Sequence, residues 1–387
     1  MRRTGTNVAR TPLATRRASR GKNRARARRG PVRYPPSVNV LVTGATGFVG
    51  AAIAKRLLAE GDSVHVLARD PKRAASLAAA GARVFAGTIA DPNDVAAAAR
   101  GCKLAVHAAA IASHRAGPAA IRWTNVAGTE NVLTAARHVG VARVVYVSCA
   151  DVTLADEDRF GWNEDRLPQG ALLDEHARTK RLAEDLALAA PGLEVCALRP
   201  PMLWGVGDTT MLPALCAEAL AHDGAALYGD GRNVLATLHI DNLVDAVLAA
   251  LEAGDVGGRA YYVSDSEFLD AGEVFAMLSK ACGLPPPRPS GVPLSVNLAL
   301  AWARERVRAD GPWRTDVVRR ARPTQFDVSR ASHDLAWKAR VSVEDGMNSL
   351  ATWVTATGGP KAIAAMQRKP ADDAEVAAQI AAATPAR

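Results

Sequence analysis

No aspartate or glutamate occurs in residues 1–35, where eleven arginines and one lysine stand, so this arm contributes +12 to a formal net charge of +9. The rest of the chain therefore carries −3, and the pI of 9.6 describes the arm alone. Such a run is expected to be a solvated, disordered segment. Its one aromatic residue is Tyr34 at its end and no structured module accompanies it, so no specific nucleic-acid partner is expected. No apolar stretch follows the arginines, which argues against a secretory signal and leaves the twin Arg16-Arg17 without a targeting context. An organelle transit peptide, or non-native sequence read from an upstream start, would share this composition.

Pairs of closely spaced cysteines are also missing. Cys102, Cys149, Cys196, Cys216 and Cys282 are odd in number and scattered, without any CxxC, which suits reduced thiols in a cytoplasmic protein. Metal-ligand spacing is absent from the sequence, and no metal is expected. No run is long enough to span a bilayer: Val292–Ala303 is short and holds Ser295 and Asn297. What remains is a globular chain of 387 residues, 49% apolar, able to bury a full core as one large or two modest domains.

Against these absences stands one organised stretch, Val-Leu-Val-Thr-Gly-Ala-Thr-Gly-Phe-Val-Gly over residues 40–50. A β-type run ends in Gly44, Gly47 and Gly50, and an Ala/Leu/Lys pattern at helical spacing begins. Glycines in a strand–turn–helix context let the backbone turn sharply and approach a pyrophosphate, while the helix N-terminus offers unpaired N–H groups.

Further strands are expected at Ser63–Leu67, Arg83–Ala86, Leu104–His107, Arg143–Val147 and Leu193–Leu198. Helical patterns lie between them, over 51–60, 94–100, 121–139 and 178–189. The alternation predicts an α/β fold, a Rossmann-like doubly wound parallel sheet with ligands at the carboxyl ends of its strands. Residues 36–201 form the expected dinucleotide-binding domain, with a return helix over 241–252 packed on it. Residues 202–355, which include the short β run Ala260–Val263, are expected to form mainly a smaller substrate-binding lid, and the Ala-rich stretch 356–387 to fray.

The chain resembles the extended short-chain dehydrogenase/reductase superfamily over roughly residues 38–355. The resemblance is carried by the glycine motif, Val106-His107-Ala108-Ala109, the stretch Asn125 to Val132, His176 to Glu184, and Leu198-Arg199-Pro200-Pro201 through Asp208. With Gly229-Asp230-Gly231-Arg232-Asn233 and His239-Ile240-Asp241-Asn242, it looks most like the 3β-hydroxysteroid dehydrogenase group, including reductases of long-chain 2-alkyl-3-keto acids. That likeness implies a small apolar ketone or alcohol as substrate. Sugar-nucleotide relatives carry an Arg-Asp pair where this chain has Leu235-Ala236, and an apolar pair cannot clamp a diphosphate.

The resemblance implies a nicotinamide cofactor lying against Gly44, Thr46, Gly47, Phe48, Val49, Arg69, Thr88, Ile89, Ala108, Ala109, Lys180 and Pro200. Ala68 stands where an NAD site places a carboxylate for the ribose hydroxyls, and Arg69, Lys72 and Arg73 follow. NADP(H) is therefore favoured over NAD(H). Asp70 complicates the local field, and Thr88 offers a weaker partner for adenine than the acidic residue common in relatives.

At the catalytic positions the pattern breaks. The family's Tyr maps onto His176, its Lys onto Lys180, and its Ser onto Cys149, with Ser148 one residue earlier. Lys180 disfavours a charged imidazole beside it, and a thiol donates poorly. Two readings stand: an NADP(H)-dependent oxidoreductase with His176 as proton or hydrogen-bond donor, or a catalytically impaired NADP(H)-binding sensor or scaffold. A dehydratase or epimerase using another base has least support. Met202 and Trp204 are expected at the substrate pocket, although a core role fits them nearly as well, and His107 and His239 are expected to be structural. Asn125 is read either as a helix-surface residue or as a support for the active site. Relatives dimerise through two sheet-packed helices, which here would be about 121–139 and 174–190.

Overall fold

The computed structural model describes residues 38–367. Seven parallel strands form its centre: β1 (Asn39–Thr43), β2 (Ser63–Ala68), β3 (Arg83–Ala86), β4 (Leu104–His107), β5 (Arg143–Val147), β6 (Glu194–Arg199) and β7 (Arg259–Tyr262). They are ordered β3-β2-β1-β4-β5-β6-β7, so the strand order reverses between β1 and β4. That reversal opens a crevice at the carboxyl ends of the strands.

Strand periodicity explains how both faces are covered. Val40 and Val42 point to one side, into a core completed by α1 (Phe48–Ala59) and by Leu243, Val244 and Val247 of the return helix. Leu41, Ala105 and Val144 point to the other, where α2 (Pro92–Ala99), α3 (Gly128–His138) and α4 (Glu175–Leu188) pack. The return helix, α5 (Ile240–Glu252), lies on the sheet as the sequence indicates. A separate apolar core, with Leu212, Leu215, Phe275, Leu278, Leu350 and Val354, holds the C-terminal helices together.

Three expectations need correction. Ala260–Val263, assigned to the lid, belongs to the central sheet: Arg259 pairs with Cys196 and Tyr262 with Arg199, and Tyr261 and Tyr262 are fully buried there. Residues 356–367, assigned to a fraying tail, are largely helical. The helix Val343–Thr357 turns at Gly358, φ 105°, into Gly359–Ala364, whose Ile363 is fully buried in the C-terminal core. The helix expected over 121–139 is broken by a π-turn at Trp123–Ala127. The basic arm 1–35 and residues 368–387 lie outside the described residues.

Candidate active site

At the end of β1 the chain turns through Gly44, φ +74°, where a Cβ would stand 2.7 Å from the carbonyl carbon of Ala108. The backbone after β4 thus lies directly against the glycine turn, which explains the small Ala108-Ala109 pair. A Cβ on Gly50 would come 2.4 Å from the Gly44 oxygen, so this glycine lets α1 start tight against the strand. Helix α1 has Gly47 at its N-cap, no side-chain cap and no acidic residue in its first turn. Its first N–H groups, from the stretch with Phe48 and Val49, are therefore presented to an anion rather than to the protein. These features fit a dinucleotide pyrophosphate. Phe48 itself is 7% exposed and packs in the core, so its contribution to such a site is through the backbone.

Beyond β2, Ala68 is buried and Arg69 is exposed. Asp70 is occupied locally: its carboxylate accepts the Lys72 N–H at 3.0 Å and caps the short turn of helix Pro71–Ala74. After β3, the Thr88 N–H donates to Asp94 Oδ2 at 2.9 Å, and Asn131 holds the carbonyls of Ile89 and Ala90 at 3.0 Å each. Asp94, from α2, brings a carboxylate to the loop where relatives carry an acidic residue. The sequence reading missed it because it lies six positions past Thr88 and one helix turn away.

Lys180 and His176 project from α4, which Asp174 starts by accepting the Ala177 N–H at 2.7 Å. Lys180 is 3% exposed; its ammonium donates to the Val147 carbonyl at 2.8 Å and lies 4.3 Å from the centre of the Tyr146 ring. Burial works against its charge, yet Tyr146, Cys149 and Glu184 outweigh burial and hold its pKa above the ordinary lysine value. Pro200 follows β6 beside this cluster, its carbonyl accepting the Ala150 N–H at 2.8 Å.

His176 is 5% exposed, and its Nδ1 has no hydrogen-bond partner. Burial lowers its pKa to about 4, with Arg319 and Lys180 adding to the effect and Asp151 and Asp174 opposing it. The imidazole is neutral at physiological pH. Asp151 Oδ2 lies 3.9 Å from Nδ1 and accepts a bond of 2.5 Å from Arg319. Burial raises the Asp151 pKa, but Arg319, His176 and Arg159 bring it down to about 2. The Cys149 thiol is pushed up to about 12 by burial, with Asp151 reinforcing the effect. It is a neutral thiol in the resting chain.

Ser148 is placed differently from expectation. Its hydroxyl donates to Glu184 Oε2 at 2.6 Å, and Glu184, fully buried, is gripped by Arg199 through Nε and Nη2. The hydroxyl is thus committed to a buried ion pair. Trp204, expected at a pocket wall, is 1% exposed; its indole N–H bonds Asp265 at 3.2 Å, and the ring packs in the C-terminal core, with half-buried Met202 against the same cluster. Leu235, 5% exposed, is part of that core too.

The supporting histidines behave as structural groups. Thr129 Oγ1 donates to the Asn125 carbonyl, so His107 Nε2 donates to Thr129 at 2.9 Å and its Nδ1 accepts from Thr43 at 2.7 Å. His239 caps α5 by accepting the Asp241 N–H. Asn125, 1% exposed and inside the π-turn, binds both backbone groups of Ile111 and Thr179 Oγ1, tying the loop after β4 to α4. It is therefore no surface residue.

Asp151, Asp174, Thr315 and Arg319 were not among the sequence-derived candidates. Thr315 donates to Asp174 Oδ2 at 2.6 Å, and Arg319 reaches Asp151 from the same helix, Arg314–Ala321. No motif marks that helix, whereas the Asx-type cap at Asp174, three residues before Ala177, is a signal the sequence does contain.

Comparison with known proteins agrees with this architecture. The sequence profile described as the NAD dependent epimerase/dehydratase family matches residues 40–264. A 2-alkyl-3-oxoalkanoate reductase of Shewanella oneidensis is 32% identical over 332 residues, covering 81% of this chain and 85% of that protein. A 3 beta-hydroxysteroid dehydrogenase/Delta 5→4-isomerase of Mycobacterium tuberculosis is 31% identical over 330 residues, 80% and 88% of the two chains. Among solved structures, MoeE5 in complex with UDP-glucose and NAD superposes with a TM-score of 0.64 at 26% identity, over 82% of this chain and 99% of that one. Among the described residues no helix is long and apolar enough to cross a membrane. With its sheet order, glycine turn and retained lysine, the chain belongs to the NAD dependent epimerase/dehydratase family, the extended short-chain dehydrogenases/reductases.

Proposed function

We propose that the protein is an NADP(H)-dependent oxidoreductase acting on an apolar ketone or alcohol, steroid-like or of the long-chain 3-keto class. The observation that carries this reading is the pairing of a buried, charged Lys180 with a buried, neutral His176 one helix turn away. Bound NADP(H) supplies or accepts the hydride. Lys180, fixed by the Val147 carbonyl, holds the ribose hydroxyls, and the glycine turn with the uncapped α1 holds the pyrophosphate. His176 offers a neutral N–H donor to the substrate oxygen, and Cys149 lies beside it as a weaker donor. Preference for the 2′-phosphate is supported by exposed Arg69 and by Asp70 being turned into its own cap. The names of the reductase and steroid relatives, together with the apolar Leu235-Ala236, support a lipid-like substrate over a sugar nucleotide.

A second reading has one specific observation behind it. The Ser148 hydroxyl is spent on Glu184, so neither hydroxyl of the family's catalytic pair faces a substrate, which favours an NADP(H)-binding sensor with little turnover. Nicotinamide turnover with panels of 3-keto lipids and steroids separates the two. Turnover by the native chain that falls at least tenfold in His176→Ala supports the enzyme. No turnover by the native chain, with gain in His176→Tyr, overturns the enzyme reading of the native sequence.

A homodimer through α3 and α4 is part of the proposal. Leu182 and Leu186, one turn apart on α4, are 47% and 42% exposed and would be covered by a second copy.

A further inference from the structure

Cys149 and Asp151 follow β5, while His176 opens α4, so nothing in their sequence spacing suggests a shared ligand. The fold brings them together. One potential ligand atom from each lies within 4.8 Å of the others. Within that group the His176 side chain is 7% exposed and its Nδ1 has no partner, facing Asp151 Oδ2 at 3.9 Å. A buried ring nitrogen left unbonded costs about 1–3 kcal/mol. A cation held jointly with the thiol and the carboxylate would remove that cost.

The donor set selects the ion. One sulfur, one imidazole nitrogen and one carboxylate oxygen suit zinc, whose bonds to these atoms are about 2.0–2.3 Å and whose tetrahedral geometry leaves a fourth position open. Ligand atoms around such an ion stand roughly 3.4–3.7 Å apart, so the observed cluster needs a contraction of about 1 Å. Cys149 and Asp151 are part-buried, and the contraction falls on these two side chains. Arg319, Arg159 and Lys180 oppose any cation here. Magnesium and calcium, which prefer all-oxygen ligands, gain nothing from the sulfur to offset that repulsion. Arg319 donates to Oδ2 of Asp151, the oxygen that also faces His176, so the ion would share that oxygen through its second lone pair.

We propose that Cys149, Asp151 and His176 form a three-ligand site for zinc or a zinc-like divalent cation, with one coordination position open. Binding replaces the Cys149 thiol proton, which leaves to solvent; His176 coordinates as the neutral ring and Asp151 as the carboxylate. The consequence for turnover rests on the oxidoreductase reading. When bound through His176 Nδ1, such an ion would supply Lewis-acid polarisation of a carbonyl beside the N–H that the other ring nitrogen keeps.

The test uses the full chain, stripped with a chelator and titrated with Co²⁺ alone. One equivalent is expected to bind, with visible d–d bands and a near-ultraviolet thiolate-to-cobalt band. The thiolate band disappears in Cys149→Ser, affinity falls at least tenfold in His176→Gln, and Zn²⁺ bleaches the colour. Circular dichroism and NADPH binding confirm that each variant is folded. Should Cys149→Ser fail to fold, mercurial labelling of the native chain decides: p-hydroxymercuribenzoate labels Cys149 in the metal-free chain, and one equivalent of Zn²⁺ blocks that labelling if the site exists. A folded native chain that binds no stoichiometric Co²⁺, shows no thiolate band, or gains no protection overturns the site. The readouts separate from the function: a cobalt band without 3-keto turnover in any metal state sustains the site and removes the enzyme reading, whereas turnover without cobalt binding does the reverse.

Discussion

The Ser148 hydroxyl donates to Glu184 Oε2 at 2.6 Å, inside a pair closed by Arg199 and sealed from water. The serine nearest the family's catalytic position is therefore part of the scaffold beneath the site. Glu184→Ala would strand the Arg199 guanidinium in the interior, and a loss of about 3–5 kcal/mol is expected. Ser148→Ala removes one bond to a charged acceptor and is expected to cost about 1.5–3 kcal/mol, with NADPH affinity unchanged. Urea denaturation checks both. A Ser148→Ala variant with native stability but abolished turnover would instead return the hydroxyl to the substrate.

Glycine substitutions distinguish turn geometry from anion contact. At Gly44 both the positive φ and the Ala108 backbone resist a Cβ, whereas at Gly47 an added Cβ meets only the Gly44 oxygen at 3.3 Å. Gly44→Ala is expected to destabilise the fold by about 1–3 kcal/mol and to lower NADPH affinity at least tenfold. Gly47→Ala is expected to leave the melting temperature within a few degrees of native and still weaken NADPH. Fluorescence titration with NADPH, run beside thermal melts, reads both quantities.

Cofactor choice depends on the exposed end of β2. Arg69→Ala is expected to weaken NADPH about tenfold, or about 1.4 kcal/mol, while NADH affinity stays within twofold. Equal losses for the two cofactors would mean that Arg69 contacts the shared part of the dinucleotide and that the preference has another origin.

Acid stability follows from two buried imidazoles. Burial lowers His107 to about 3 and His176 to about 4, both below the ordinary 6.5, so between these values the unfolded chain binds more protons than the native one. Stability is then full above about pH 6.5 and is lost as pH falls toward 4, by about 1.4 kcal/mol per pH unit for each group. Urea midpoints from pH 8 to 4.5 should fall accordingly, and the fall should be shallower in His176→Gln. An identical slope in the variant would show that His176 does not titrate in that window.

Association is expected to depend on α4. Leu186→Glu places a charge on the exposed apolar strip with Leu182 and should convert a dimer to a monomer in sedimentation at micromolar concentration. A native chain that sediments as a monomer at the same concentration removes this interface.

Local pattern was enough to read the doubly wound sheet, because Val40-Leu41-Val42 is an unbroken β-type apolar run, Gly44, Gly47 and Gly50 punctuate, and the following helices repeat at their own period. Six of the seven central strands are legible in this way. The seventh, Arg259–Tyr262, is legible as the β run Ala260–Val263 but not as part of this sheet, since its pairing partner β6 lies some sixty residues earlier and a four-residue run carries no sign of which sheet will take it. Trp204 illustrates the same limit: a tryptophan after Arg-Pro-Pro reads equally as pocket or core, and its bond to Asp265 decides for the core.

The sequence by itself determined the glycine turn, the retained Lys180 and the replacement of a phenol by the imidazole of His176, because each depends on residue type at fixed spacing along one element. Tertiary structure alone decided what surrounds that imidazole. Arg319 arrives from a helix 143 positions away, Asp151 and Cys149 from the end of another strand, and Ser148 turns to Glu184. Charge, burial and orphaned hydrogen-bonding groups are properties of neighbours in space, and the linear order of residues does not contain them.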